Sequence, residues 1–170
     1  LIQTALRLKL EIPLIAGVGG FSLEDCKSWI RWCDAAGVNG FLLVTPIYAK
    51  PGIEGQTEWF LSLMDTTKSP CMIYNVPGRS AVKLQPEALR RISSHTNFWA
   101  VKESSGSTAD FLQYRAMAPN ARFYCGDDAL MPFFASAGAV GLVSVAANVW
   151  PEATKRYAEL AIKGRHDLLL

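Results

Sequence analysis

The sequence predicts an α/β protein of parallel strands joined by helices, either a (β/α)₈ barrel or an open doubly wound sheet. Three observations carry this. Six short apolar runs recur along the chain, longer amphipathic runs separate them, and polar residues collect at the carboxyl ends of the apolar runs. The apolar runs are nearly continuous and do not alternate with polar residues, which is the pattern of strands buried on both faces. Parallel neighbours need a long crossover, usually a helix, and the amphipathic runs supply it. A complete barrel takes about 250 residues and this chain has 170, so the pattern alone leaves both architectures open for a single domain over residues 1–170.

Taken in order, residues 13–18 read as the first strand. Gly19-Gly20 breaks it, and Ser22 precedes a helix carrying Trp29, Trp32 and Cys33. Residues 40–45 form the second strand and stop at Pro46, before a loop with Tyr48, Pro51 and Gly52. A helix over 54–67 returns the chain to a third strand at 71–74, ended by Pro77-Gly78. Residues 85–93 are helical, with Pro86 tolerated in the first turn. The fourth strand spans 98–102, and Ser107 or Thr108 caps the helix after it. Strands at 122–125 and 139–145 follow, separated by a helical run over 130–137, and a final helix begins after Pro151. Leu1, Ala5, Leu8 and Ile12 are spaced as an opening helix without a cap signal. Leu168, Leu169 and Leu170 read as an apolar helix that originally continued or as the mark of a missing partner segment, so a piece of a longer protein is expected.

Composition narrows the function classes. Half the residues are hydrophobic, and 17 Lys plus Arg against 15 Asp plus Glu leave a net charge of +2. That balance gives no reason to expect nucleic acid or an anionic membrane as partner. The apolar runs fall short of the roughly 20 residues of a membrane span, and a soluble, cytoplasmic protein is expected. Cys26, Cys33, Cys71 and Cys125 are scattered in apolar surroundings without CxxC spacing, which reads as buried free thiols and not as a disulfide or zinc set.

The strand ends hold the candidate chemistry: Thr45 and Tyr48, Tyr74, Asn75 and Arg79, Lys102 and Glu103, Asp127 and Asp128, and Asn148. In parallel α/β proteins, ligand and catalytic groups gather at that edge. Lys102 closes the run Phe98-Trp99-Ala100-Val101, where low polarity favours the neutral amine that attacks carbonyls. It equally suits a pairing with Glu103 or a side chain reaching the rim, although neighbours in a strand point to opposite faces. Tyr74 ends another strand, suited either to relaying protons or to packing its ring. Tyr48, flanked by prolines, fits a site or an interface. Arg79 follows Pro77-Gly78 in a short loop and can hold a carboxylate bidentately or stay solvated. Asp127-Asp128 admits magnesium, but Asp128 better suits the N-cap of the next helix. Gly17, Gly19 and Gly20 complete no phosphate-loop motif. His95, between two helical turns, reads as a surface residue, and His166 lies too near the terminus to be assigned chemistry.

The segments Pro13–Gly19, Val44-Thr45-Pro46-Ile47-Tyr48, Tyr74-Asn75-Val76-Pro77-Gly78-Arg79, Val101-Lys102-Glu103-Ser104-Ser105-Gly106, Gly126-Asp127-Asp128 and Gly141–Val145 resemble, in order and spacing, the dihydrodipicolinate synthase and N-acetylneuraminate lyase superfamily. The YNVPGR segment followed by VKESSG is the most specific part, and the synthase branch is the nearer one. The resemblance implies a (β/α)₈ TIM barrel of which this chain supplies about strands 3 to 8. It implies that Lys102 forms a Schiff base with pyruvate, that Tyr74 relays protons, and that Tyr48 reaches across a dimer interface into a neighbouring site. Arg79 would bind the carboxylate of the second substrate, and Gly126 and Val143 would line the pyruvate pocket.

The implied reaction condenses pyruvate with L-aspartate-4-semialdehyde to give 4-hydroxy-tetrahydrodipicolinate for lysine and diaminopimelate biosynthesis, with no metal and no other cofactor. A homodimer or homotetramer is implied as well. The alternatives are another pyruvate-dependent class I aldolase or dehydratase, of N-acetylneuraminate lyase or keto-deoxy-sugar-acid aldolase type, and a noncatalytic barrel fragment. Arg79 favours the synthase. The family's first two strands, with a GTTGE-type segment whose threonines bind the pyruvate carboxylate, and its C-terminal helices lie outside this sequence. Full activity is therefore not expected of these residues alone. Phe21 stands where lysine-sensitive members have Asn, and Ile47 replaces an aromatic residue, so feedback by lysine is not expected.

Overall fold

Apolar runs become strands and amphipathic runs become helices. The computed structural model describes residues 1–169, which form α1 (Ile2–Arg7), β1 (Ile15–Val18), α2 (Leu23–Ala36), β2 (Gly40–Val44), α3 (Ile53–Met64), β3 (Cys71–Asn75), α4 (Pro77–Ser80), α5 (Pro86–Ile92), β4 (Phe98–Glu103), α6 (Thr108–Met117), β5 (Arg122–Cys125), α7 (Met131–Ser136), β6 (Gly141–Leu142) and α8 (Pro151–Ile162). Short 3₁₀ turns occupy Asp128–Leu130, Ala146–Asn148 and His166–Leu168.

The six strands are all parallel and pair in chain order, β1-β2-β3-β4-β5-β6. This order decides between the two architectures left open above. A doubly wound sheet reverses its strand order at a switch point, whereas here each crossover advances the sheet by one strand in the same direction. Crossovers of one hand put their helices on one face. On that face Phe41, Leu43, Ile73, Val101, Phe123 and Cys125 are completely or almost completely buried, and the core continues into Phe60 and Leu63 of α3, Ile92 of α5 and Phe111 of α6. The Phe111 ring meets Phe123 at 5.5 Å and Phe134 at 4.6 Å, both edge-on. At the alternate positions Leu42, Val44, Tyr74, Lys102 and Tyr124 are only half-buried, and together they line the other face.

Several boundaries differ from expectation. The opening helix stops at Arg7, and Lys9 has a left-handed φ of 47°, so Ile12 lies outside it. The last strand, expected over 139–145, contracts to Gly141–Leu142, because Ser144 starts a turn capped by its own hydroxyl on Ala147 N. Ser107, not Thr108, caps α6 by accepting from Asp110 N. Ser22 caps α2 in the same way, and Gly37, at φ 95°, ends it in the left-handed conformation that glycine permits. Leu170 lies outside the described residues.

The outer strands β1 and β6 each pair on one side only among the described residues. Beside β1, Trp29 Nε1 donates to Gly17 O at 3.0 Å, and Trp29 stacks on Trp32 with ring centroids 5.2 Å apart. No helix among the described residues is long and apolar enough to cross a membrane.

Candidate active site

The register of β3 against β4 pairs Tyr74 with Lys102 and Asn75 with Glu103. Residues in register share a face, so Tyr74 and Lys102 project together from the half-buried face. The Lys102 Nζ lies 4.0 Å from the centroid of the Tyr74 ring. A primary amine and a phenol thus meet at the carboxyl end of the sheet, a combination able to form an imine and to move the protons that step requires.

Gly126 completes this corner. Its N–H donates to Glu103 O at 2.8 Å, which continues the β4–β5 ladder past Cys125. A Cβ at Gly126 would lie 2.7 Å from Lys102 Cε and would collide with Ser104 Oγ. Only glycine leaves the lysine stem its present path. The Ser104 hydroxyl is itself buried without a hydrogen-bond partner among the described residues.

Glu103 does not pair with Lys102. It is fully buried and points to the helix-covered face. Its Oε2 accepts from Asn75 Nδ2 at 2.8 Å and its Oε1 from Ser105 N at 2.6 Å. Burial pushes its carboxyl above the ordinary carboxylate range, outweighing the hydrogen bonds from Ser105 and Asn75 that act the other way. Asn75 Oδ1 accepts from Leu84 N at 2.9 Å, and the buried Tyr114 hydroxyl donates to Leu84 O at 2.6 Å. Burial, with Glu103 and Asp110 nearby, raises that phenol as well. Of the residues behind the sheet, the sequence offers Asn75 and Glu103 as strand-end candidates, Glu103 as a partner for Lys102, and does not single out Leu84 or Tyr114. The signal for the first two is the alternation itself, since Asn75 and Glu103 are polar at positions that β-geometry turns toward the core.

None of the other candidates makes a hydrogen bond or ion pair with the Lys102 amine among the described residues. Thr45 is fully buried: its Oγ1 donates to Ser80 Oγ at 3.0 Å, and the Ser80 hydroxyl donates to Val82 O at 2.9 Å. It therefore ties two loops together from a buried position. Tyr48 is 76% exposed and held at φ 65°, with its N–H on Ser80 O at 2.9 Å. Arg79, expected in a loop, is helical. It sits in the single turn α4, exposed, because Pro77 starts a helix there. Val143 is half-buried, and its N–H donates to Cys125 O at 2.8 Å.

The expected cap at Asp128 falls to Asp127, whose carboxylate accepts from Ala129 N at 3.2 Å because the chain turns one residue early. Asp128 Oδ2 instead accepts from Val145 N and Ala146 N at 3.1 and 3.2 Å, drawing the loop after β6 onto the loop after β5. His95 is not a free surface residue: Nδ1 accepts from Asn97 N at 3.1 Å, and Nε2 faces Asp65 Oδ1 at 3.0 Å. Asn148 bonds back to Val145 O within its own turn. Among the described residues no group of three His, Cys, Asp or Glu is arranged to hold a metal, and all four cysteines are free and buried.

A profile described as the Dihydrodipicolinate synthetase family matches residues 1–169. The chain belongs to this family. Among its curated relatives, the 4-hydroxy-tetrahydrodipicolinate synthase of Wolbachia pipientis subsp. Culex pipiens (strain wPip) is 45% identical over 166 residues, covering 98% of this chain and 57% of the relative. The synthase of Francisella philomiragia subsp. philomiragia is 44% identical over 161 residues, covering 95% and 55%. The solved 4-hydroxy-tetrahydrodipicolinate synthase of Methylacidiphilum fumariolicum SolV superposes with a TM-score of 0.91 at 32% identity, over 97% of this chain and 56% of that one. The chain thus spans little more than half the length of these relatives. Its six strand-helix units are a contiguous part of the dihydrodipicolinate synthetase family's TIM barrel, in keeping with their sequential strand order.

Proposed function

We propose that this chain contributes the Schiff-base half of a 4-hydroxy-tetrahydrodipicolinate synthase acting in lysine and diaminopimelate biosynthesis. The observation that carries the proposal is the Lys102 amine beside the Tyr74 ring, in register at the carboxyl end of β3 and β4. The neutral amine of Lys102 adds to the keto carbon of pyruvate. Loss of water from the carbinolamine gives an imine, and loss of a methyl proton gives an enamine. The enamine carbon attacks the aldehyde of L-aspartate-4-semialdehyde. The amino group of that substrate then displaces Lys102 from the imine carbon, closing the ring and freeing the lysine. Pyruvate and the semialdehyde are consumed, and product and one water are released.

In this reading Tyr74 carries protons to and from the carbinolamine, and Gly126 and Val143 shape the pyruvate pocket. Arg79 holds the carboxylate of the semialdehyde at the entrance. Tyr48 enters the site of a neighbouring subunit, which suits an exposed tyrosine fixed in a left-handed conformation, and the protein works as a homodimer or homotetramer in the cytoplasm. No metal or other cofactor takes part in these steps. The test is borohydride reduction in the presence of pyruvate, followed by mass spectrometry. A reduced adduct on Lys102 is expected, and an unmodified Lys102 in folded protein overturns the reading. Turnover with aspartate-4-semialdehyde and none with N-acetylneuraminate distinguishes the synthase from its nearest alternative.

A further inference from the structure

The proposed reaction makes no use of Glu103 and Asn75, although both are fully buried and directly follow Lys102 and Tyr74 in their strands. Burying a carboxylate and an amide is costly unless each finds partners. Here the partners are specific. Glu103 takes one hydrogen bond from Asn75 at 2.8 Å and one from Ser105 N at 2.6 Å, and Asn75 takes one from Leu84 N at 2.9 Å. Because Leu84 N can only donate, Asn75 must present its oxygen there and its NH₂ to Glu103. The backbone repeats the link: Ser104 N donates to Asn75 O at 2.9 Å, and Gly126 N to Glu103 O at 2.8 Å. The pair therefore pins the ends of β3, β4 and β5 from behind, one residue beyond the point where the amine and the phenol meet on the other face.

We propose that the Glu103–Asn75 pair is a positioning device for Lys102 and Tyr74, fixing the strand ends so that the amine is held where it reaches the substrate carbonyl. The inference rests on the Schiff-base reading above. Neither residue touches substrate, since the sheet lies between. A small displacement of an attacking group lowers the rate steeply, by about 100-fold for an ångström. A loosened register thus slows adduct formation while leaving pyruvate binding largely as it was.

An exchange of the two polar groups tests this. In Glu103→Gln the new NH₂ faces that of Asn75, and in Asn75→Asp two carboxylates face one another. The double variant Asn75→Asp/Glu103→Gln restores the bond between the two side chains with donor and acceptor interchanged, and both side chains still accept from Leu84 N and Ser105 N. The measurement is the rate of borohydride-trapped adduct on Lys102 against pyruvate concentration, in the protein as its gene encodes it, with folding monitored by circular dichroism. Each single variant is expected to lower the limiting rate about 10- to 100-fold at a little-changed half-saturating pyruvate, and the double variant to recover most of it. Unchanged limiting rates in folded single variants, or a folded double variant no faster than the singles, overturn the positioning role. Should a single variant fail to fold, the double variant decides, because it keeps the link between the pair and the bonds from Leu84 N and Ser105 N, losing only the long 3.5 Å bond from Asn75 Nδ2 to the Tyr114 hydroxyl. Absence of any adduct in the unsubstituted protein overturns the Schiff-base reading, and the positioning role with it.

Discussion

The Nζ of Lys102 stands 4.0 Å from the centroid of the Tyr74 ring, across two neighbouring strands in register. The contact involves the ring, while the proposed proton transfer needs only the hydroxyl, so the two are separable. Tyr74→Phe should still yield a reduced adduct on Lys102 but lower turnover by about 100-fold, the usual scale for losing a proton-transfer group. Equal turnover in Tyr74→Phe and unsubstituted protein would remove Tyr74 from the relay.

Gly126 leaves the space through which the lysine stem passes. In Gly126→Ala the new methyl must displace Lys102 Cε, 2.7 Å away, and Ser104 Oγ. Ser104 Oγ is the closer of the two, so the hydroxyl must rotate away and the flexible lysine end must shift with it. Adduct formation is therefore expected to fall at least about tenfold, as for other misplaced catalytic groups, with little loss of thermal stability. A large drop in melting temperature with adduct formation intact would reverse this assignment.

Gln56 on α3 is buried at 1% exposure and ties down the segment leading into α5: Nε2 donates to Lys83 O at 3.0 Å and Oε1 accepts from Gln85 N at 2.8 Å. Gln56→Leu leaves both backbone groups unpaired. Urea denaturation should show a loss of about 1–3 kcal/mol, the cost of orphaned buried groups. A loss of only a few tenths would mean that water replaces the amide.

Burial pushes the Cys71 thiol up to about 12 from an ordinary 9.0, with Asp34 adding to the effect, and Cys125 up to about 11. These groups stay protonated in the folded chain while the unfolded chain ionises. Their stabilising contribution is complete below pH 9.0 and is lost as pH rises through the folded values. The urea midpoint is therefore expected to fall between pH 9 and pH 11, less steeply in Cys71→Ala. Native protein at pH 8 should resist iodoacetamide, and denatured protein should take up four equivalents, matching its four cysteines. Rapid native labelling of Cys71 would contradict its burial.

Strand positions were legible because a strand covered on both faces must be apolar throughout: the run at 122–125 coincides with β5, and the others differ by a few residues at their ends. The short β6 was overestimated, because an apolar run does not reveal where a capped turn at Ser144 interrupts pairing. Alternation within β4 was also readable, and it correctly separated Lys102 from Glu103. The residues around Thr45 and Asp128 were misjudged for a common reason. A polar side chain at a strand end looks the same in sequence whether it faces a ligand or satisfies the backbone of a neighbouring loop.

The sequence by itself determined the parallel α/β class, the free buried cysteines and the placing of Lys102 and Tyr74 at strand ends, since these follow from local patterns of polarity. Only the tertiary structure decided the strand order, and with it a barrel wall in place of a doubly wound sheet. It also decided which polar residues share a face. The amine–phenol contact and the Glu103–Asn75 pair behind it both depend on the register of β3 against β4. Register is set by pairing between segments far apart in the chain, and a one-residue slip would turn every side chain to the opposite face.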